Sequence, residues 1–374
     1  MLSFWEKNYL NNSDTLIVGS GFTGLHVALE LKKEQPDRKI LVIDKGGMPN
    51  GASTKNAGFA CFGSVTELLD DLQTMKEDEV VALVKKRWQG LQKMQELVSS
   101  KEMDLKPFGG FELIEKEQEA ALDKVEYINQ LIEPIFEKDV FCTRKDLIER
   151  FGLSSQKITN LIYNPFEAQL NPVLLLNSLV EQCRSMGIYI LNGYEVTSIE
   201  GSGPYTISLE EQIKLDTRQV ILCTNAFTSK LTDVGEDLQP GRGQVIITTP
   251  IDDLKIKGVF HWEAGYYYFR NYQNRLLIGG GRNLDKEAEN TTENGLTSLI
   301  QEDLEKRLRE VILPNETFKI ESSWSGIMAF GKSKMPKVEV DTQNIIVGAG
   351  LNGMGVALSA KIGEEVAHLA LNQI

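Results

Sequence analysis

From Asp14 to Ala28 the chain reads D-T-L-I-V-G-S-G-F-T-G-L-H-V-A, and no other stretch restricts its possible fold so tightly. Thr15 to Val18 predict a short buried strand, and Leu25 to Leu31 the apolar face of a helix. Between them Gly19, Ser20, Gly21, Phe22, Thr23 and Gly24 form G-x-G-x-x-G. Gly19 permits the tight turn, Gly21 lets a pyrophosphate reach the backbone, and Gly24 lets helix pack on strand. The unpaired N–H groups and positive dipole end of the helix then face the phosphates. Pro36-Asp37 breaks the chain, and Lys39 to Asp44 predict a second buried strand ending in an acid, followed by Lys45. Asp44 falls about twenty residues after Gly24, where an acid hydrogen-bonds the adenosine ribose of a dinucleotide.

Several classes of function are disfavoured by composition. A net charge of −13 argues against nucleic acid or an anionic membrane as the main partner. Cys61, Cys142, Cys183 and Cys223 are scattered without metal-ligand spacing, and His26, His261 and His368 are the only histidines, so no metal site is expected. The first residues lack the basic and apolar regions of a signal peptide, and no apolar run approaches the ~20 residues of a membrane span. The expectation is a soluble cytoplasmic protein. At 374 residues the chain is long enough for two lobes.

After the second strand comes Gly46-Gly-Met-Pro-Asn-Gly51-Ala52-Ser53-Thr-Lys55-Asn56-Ala57-Gly58-Phe-Ala. So many small residues suit backbone laid against a flat ligand, with Ser53 and Asn56 offering hydrogen bonds. The opening glycine unit followed by G-A-S-x-x-N-A-G resembles the D-amino-acid oxidase superfamily of flavoproteins, which includes glycine oxidases, sarcosine oxidases and gamma-glutamylputrescine oxidase-like proteins.

Further along, Val80, Val84, Trp88, Leu91, Met94 and Val98 predict one face of a long helix over Glu77–Ser99. A strand over Phe108–Ile114 and a helix carrying Ala121 to Leu131 follow, all expected in a second lobe. Asn171-Pro172 caps another helix, which Gly187 ends. In the resemblance, backbone at Val196 meets the adenine, and a buried strand ending in Thr224-Asn225-Ala226 returns to the cofactor. From Gly241 to Ser323 the texture becomes alternating strands, broken by one helix near Leu296–Ile312, as in an antiparallel sheet covered on one side. This sheet should roof the flavin. A last strand leads into Gly348-Ala-Gly350-Leu-Asn352-Gly353-Met354-Gly355 and a closing helix, resembling the family's C-terminal glycine element, whose helix points at the flavin pyrimidine.

The fold expected is therefore α/β, a Rossmann-like FAD-binding domain with a second, antiparallel-sheet substrate domain. Residues 1–84, 151–235 and 326–374 are assigned to the first and 85–150 with 236–325 to the second. Gly326 to Ser333 also fits the P-loop pattern, but Pro336 would fall in the first turns of the helix that a P-loop needs.

The resemblance implies FAD-dependent oxidation of the C–N bond of an amine or amino acid, with oxygen or another acceptor reoxidising the flavin. Three readings stay open beside it: a flavin dehydrogenase of 2-hydroxy acids, a non-catalytic flavoprotein subunit, and a nicotinamide-binding protein. Candidate catalytic residues are Tyr268, Arg270 and His261. Period two puts Tyr266, Tyr268 and Arg270 on one face of a strand. Facing inward, Arg270 could hold a carboxylate; facing outward, it is a surface residue. His261 is either a base or a structural histidine. Met328 stands where amino-acid-oxidising relatives carry a substrate-clamping arginine, Leu277 where sarcosine oxidases carry a lysine, and neither Met328 nor Asn56 supplies the covalent flavin linkage of some relatives. The FAD is accordingly expected to be non-covalent.

Overall fold

Thr15–Val18 and Ile40–Ile43 are continuous apolar runs, which suit strands buried on both faces. In the computed structural model, which describes residues 3–11, 13–210, 213–235 and 237–373, they occupy the middle of a mostly parallel sheet. The chain starts with α1 (Phe4–Leu10), β1 (Ser13–Val18), α2 (Phe22–Glu34) and β2 (Ile40–Asp44). A small-residue loop follows, holding the one-turn α3 (Ala52–Lys55), β3 (Phe59–Ala60) and α4 (Val65–Asp71), and leads to the long α5 (Glu77–Leu97). Next come β4 (Gly110–Glu115), α6 (Val125–Phe136), β5 (Cys142–Thr143), α7 (Leu147–Phe151), β6 (Ile158–Asn164), β7 (Ala168–Gln169) and α8 (Pro172–Ser185). Strands β8 (Tyr189–Asn192), β9 (Val196–Gly201), β10 (Tyr205–Leu209) and β11 (Lys214–Leu222) return to the first sheet. Then follow β12 (Gln239–Thr248), β13 (Val259–Trp262), β14 (Tyr267–Tyr272), β15 (Arg275–Gly280), α9 (Ser298–Arg307) and β16 (Ile320–Phe330), before β17 (Lys337–Val340), β18 (Ile346–Ala349) and α10 (Gly355–Asn372) close the chain.

The first sheet runs β17-β18-β11-β1-β2-β8, parallel from β18 to β8, with β10 paired to β11 and β9 to β10. The second runs β16-β12-β15-β14-β13-β4-β6-β5 and is antiparallel except for the β13–β4 pair. Helix α2 is buried from Phe22 to Leu31 because α10 and α8 cover the side turned away from the sheet. Helix α5 packs on α10 so closely that a Cβ on Gly90 would lie 1.9 Å from the Ala357 carbonyl oxygen. Lys86–Glu365 and Lys93–Glu364 ion pairs flank that seam.

Several local expectations change. The long-helix expectation holds over Glu77–Leu97, but the buried stripe carries Arg87, while Trp88 is only half-buried against Phe62, Phe136 and Phe166. Helix α5 packs on α10, and β6 lies in the second sheet. The segment around Ala121 is a 3-10 turn over Lys116–Lys124 that passes into α6. The alternating texture expected to end at Ser323 continues as strand to Phe330, so the P-loop look-alike is largely extended chain paired with β12.

Candidate active site

At the turn after β1, Gly19 adopts φ +104°, which only glycine accepts without strain, and its N–H donates to the Ile43 carbonyl across 2.7 Å. The next amide, on Ser20, donates to Asp44 Oδ2 at 2.8 Å, and the second oxygen of Asp44 accepts from Gly46 N–H at 2.9 Å. The acid at the end of β2 is thus fixed against the glycine turn by two backbone amides. The N–H of Phe22, first residue of α2, donates to Ser53 Oγ at 2.9 Å, tying the small-residue loop to the helix N-terminus. Asn56 locks the end of α3: its Nδ2 donates to the carbonyls of Ala52 and Ser53, and its Oδ1 accepts from Gly58 N–H. At the other end of the chain, Asn352 ties the second glycine loop, its Oδ1 accepting from Gly331 N–H and its Nδ2 donating to the Gly350 and Lys334 carbonyls.

These elements surround one cavity of about 1350 Å³, larger than the ~300–1,000 Å³ usual for a small-molecule site. Gly19, Gly21, Phe22, Thr23, Asp44, Lys45 and Val196 line it, together with Gly51, Ala52, Ser53, Lys55, Asn56 and Ala57 of the small-residue loop. Thr224 and Asn225 after β11, Gly326 of β16, and Asn352, Gly353, Met354 and Gly355 of the second glycine loop complete the lining. Ser20, Gly24, Gly58, Ala226 and Gly350 are not on the wall. Ser20 and Ala226 are buried behind it, and a Cβ on Gly24 or Gly58 would meet backbone carbonyls rather than the cavity.

The residues fit a flavin dinucleotide. A Cβ on Gly21 would stand 2.9 Å from Ser53 Oγ, in the space between the helix amides and the cavity. The two glycine loops, remote in sequence, open onto the same space, which leaves room for a second ring system beyond the first nucleotide.

The second sheet supplies the roof. Tyr266 and Tyr268 line the cavity, whereas Tyr267 and Phe269 face the opposite way into the core, Phe269 stacking on Phe260 at 4.5 Å. Tyr268 packs edge-on to Phe59, and burial pushes its phenol up to about 12. Arg270 shares that face of the strand but does not line the cavity. It is buried behind Gly58 and donates from Nη2 to the Leu170 carbonyl at 3.1 Å, so both of its expected placements are corrected. Met328 and Gly326 are on the wall, while Leu277 is buried in a small apolar cluster with Ala57 and Val245.

His261 lines the cavity from β13 between two carboxylates, Nε2 2.7 Å from Glu167 and Nδ1 3.2 Å from Glu67. Burial works to lower the imidazole, but the two carboxylates dominate and hold it well above its ordinary range. Burial likewise works to raise Glu67, yet His261 and the Ser64 amide bring it down to about 2. His261 is thus held between two carboxylates, with Nε2 hydrogen-bonded to Glu167. Cys61, Glu167 and His261 offer atoms within 4.8 Å of one another.

Sequence reasoning missed Glu67, Glu167, Cys61, Arg87, Asp71 and Lys334. Glu67 carried a signal, since Ser64-x-x-Glu67 is a capping box whose glutamate accepts from the Ser64 amide at 2.9 Å. Arg87 carried another, as a charge at helical spacing between Val84 and Leu91 on a buried stripe. Glu167 had none.

Comparison with known proteins agrees with this geometry. The profile of a family described as FAD-dependent oxidoreductase (DAO) matches residues 14–369. Gamma-glutamylputrescine oxidoreductase of Escherichia coli is 23% identical over 95% of this chain and 83% of its own length. The crystal structure of glycine oxidase from Geobacillus kaustophilus superposes with a TM-score of 0.77 at 20% identity, covering 97% of this chain and 95% of that one. L-proline dehydrogenase from P. horikoshii gives a TM-score of 0.76 at 17% identity over 97% and 94%.

Proposed function

The chain belongs to the DAO family of FAD-dependent oxidoreductases, and from that premise we propose that it oxidises the C–N bond of an amine or amino acid. The observation that carries the reading is the single cavity onto which both glycine loops and the tyrosine-bearing roof open. Bound FAD supplies the acceptor for the hydride leaving the carbon, the amine losing a proton as the C=N bond forms. Water then hydrolyses the imine to a carbonyl compound, and oxygen or another acceptor takes up the electrons.

The chain's own residues hold and orient. The Gly21–Thr23 turn and Ser53 would hold the pyrophosphate, Asp44 the adenosine ribose, and the Leu351–Gly355 loop with the N-terminus of α10 the pyrimidine end, where a helix dipole favours negative charge. Phe59, Tyr268 and Met328 present a largely apolar wall, and a low-dielectric wall favours the neutral amine, the form that reacts.

Attachment is non-covalent in this reading. Burial pushes the cavity-lining thiols of Cys61 and Cys223 up, Cys223 to about 12, so neither is a thiolate at neutral pH. Four unpaired cysteines, Cys142 exposed, suit a reducing compartment such as the cytoplasm. No helix among the described residues is long and apolar enough to cross a membrane.

The test is the visible spectrum of the purified protein, repeated without oxygen against a panel of amines, amino acids and 2-hydroxy acids. A yellow protein whose flavin bleaches with an amine or amino acid is expected. Bleaching only by a hydroxy acid, or a colourless protein that FAD cannot reconstitute, would overturn the proposal.

A further inference from the structure

Cys61, Glu167 and His261 meet through strand pairing rather than through spacing in the chain. The register of β3 on β7 sets Phe59 against Gln169 and Ala60 against Ala168, so its next step brings Cys61 opposite Glu167. His261 arrives from β13, and its Nε2 lies 2.7 Å from Glu167 Oε2. A thiol sulfur, an imidazole nitrogen and a carboxylate oxygen thus come within 4.8 Å of one another, and all three residues are buried. Strand β4 leaves room for the carboxylate, since a Cβ on Gly110 would lie 2.0 Å from Glu167 Oε2.

Two of these groups lack company. Among the described residues Glu167 Oε1 has no hydrogen-bond partner, although its side chain is only 1% exposed. A buried carboxylate oxygen without a donor is costly, and coordinating a cation removes that cost. The Cys61 thiol meets the Met354 thioether at 3.8 Å, a weak acceptor. The imidazole, by contrast, is held in place. Its Nδ1 lies 3.2 Å from Glu67 Oε2, and Phe59 packs edge-on to the ring, which keeps Nε2 turned toward Glu167. A carboxylate behind one ring nitrogen, with the other nitrogen facing the ligand position, is the arrangement that orients zinc-binding histidines. Glu112, beside His261 on β4, is taken up by Ser64 and Thr66 and stays outside the trio.

Sulfur, imidazole and carboxylate together suit zinc, whose three-ligand sites keep a fourth position open. Cys61 and His261 line the cavity, so an ion enters from there and a water completes the tetrahedron on that side. We propose that Cys61, Glu167 and His261 bind one zinc ion at the cavity wall, with Glu67 as the positioning residue behind His261. Binding releases two protons, one from the Cys61 sulfur and the one that His261 and Glu167 share across their hydrogen bond. Burial keeps the free thiol protonated, but a thiol that coordinates the ion loses its proton outright. Nitrogen and oxygen ligands of tetrahedral zinc stand roughly 3.3 Å apart, so the 2.7 Å pair opens by about half an ångström. The site does not depend on which substrate the flavin oxidises.

The experiment is metal counting on the FAD-loaded enzyme, stripped with EDTA, dialysed against a series of limiting zinc concentrations and gel-filtered. Wild type should retain one zinc per chain, and Cys142→Ala, which removes the exposed thiol, should retain it too. Cys61→Ala should weaken zinc by at least about tenfold, and Glu67→Gln by about 10–100-fold through the orientation of the imidazole. Cobalt in place of zinc should add a thiolate-to-cobalt charge-transfer band to the difference spectrum of wild type, absent in Cys61→Ser. Retained flavin absorbance shows that each variant has folded; should Cys61→Ala lose it, the cobalt band of wild type and the Glu67→Gln affinity decide. Zinc that wild type does not retain, that Cys61→Ala holds equally well, or that departs with Cys142 overturns the proposal. A cobalt complex without the thiolate band does the same, and a Glu67→Gln affinity equal to wild type strikes Glu67 from it. Zinc bound through Cys61 while no amine bleaches the flavin leaves the site standing and fails only the amine-oxidising reading.

Discussion

Replacing His261 with leucine removes the imidazole that lies between Glu67 and Glu167 and leaves the two carboxylates without it. In the wild type Glu67 sits at about 2 against an ordinary 4.5. At 1.36 kcal/mol per pKa unit that displacement corresponds to about 3 kcal/mol. Breaking a buried pair by removing one partner costs ~3–5 kcal/mol, the same range. We expect His261→Leu to lose about 3–5 kcal/mol of unfolding free energy at pH 7.

The pH dependence has a defined sign. The raised imidazole of His261 contributes stability that is complete below its unfolded value of ~6.5 and is lost as pH rises through the higher folded value. The depressed Glu67 contributes stability that is complete above its ordinary 4.5 and is lost as pH falls through about 2. Between those limits the wild type holds both contributions. In the variant, burial acts on Glu67 without the imidazole to offset it, so protonation of Glu67 relieves the strain and the deficit should shrink from pH 7 to pH 5. Urea unfolding of both proteins at these pH values, with FAD at one fixed excess, measures it. A deficit below ~1 kcal/mol at pH 7, or one that grows toward pH 5, would refute the buried imidazolium–carboxylate argument.

Three further outcomes follow from the geometry. Gly21→Val should abolish flavin retention while the chain still folds, because its side chain enters the space beside Ser53 where the pyrophosphate is received; full FAD absorbance after gel filtration would contradict this. Gly90→Ala should cost ~1–3 kcal/mol in urea unfolding, since its Cβ would lie 1.9 Å from the Ala357 carbonyl and force α5 off α10; an unchanged midpoint would show that the seam yields freely. Arg270→Met should leave the ratio of kcat/KM for an amino acid over its decarboxylated amine within about twofold, less than ~0.5 kcal/mol, because Arg270 lies behind the wall; loss of that preference would show that it reaches the substrate.

What the chain declared locally is what short-range physics controls. The Gly19–Gly24 turn, the acid ending β2 and the Asn171-Pro172 start of α8 depend on backbone conformations and spacings within a few residues, so their placement was legible. The second glycine loop was legible for the same reason, and the alternation from Gln244 onward gave the antiparallel roof. Period two placed Tyr268 and Arg270 on one face of β14, yet which face meets the cavity and how far along the strand the cavity extends did not follow from it, and Arg270 does not reach the wall.

Tertiary contact alone decided the charged wall. Glu167 meets His261 across 94 residues, and Lys334 meets Asp71 from a loop at the far end of the chain, pairings that no periodicity encodes. Helical spacing admits both Arg87 and Trp88 on the inner face of α5, since each is three or four residues from Val84 and Leu91. Hydrophobicity favours the tryptophan. The packing of α5 on α10 rotates the arginine inward instead, because burying a charge is tolerable only where carbonyls, carboxylates and a cavity are waiting for it, and those arrive from other parts of the chain.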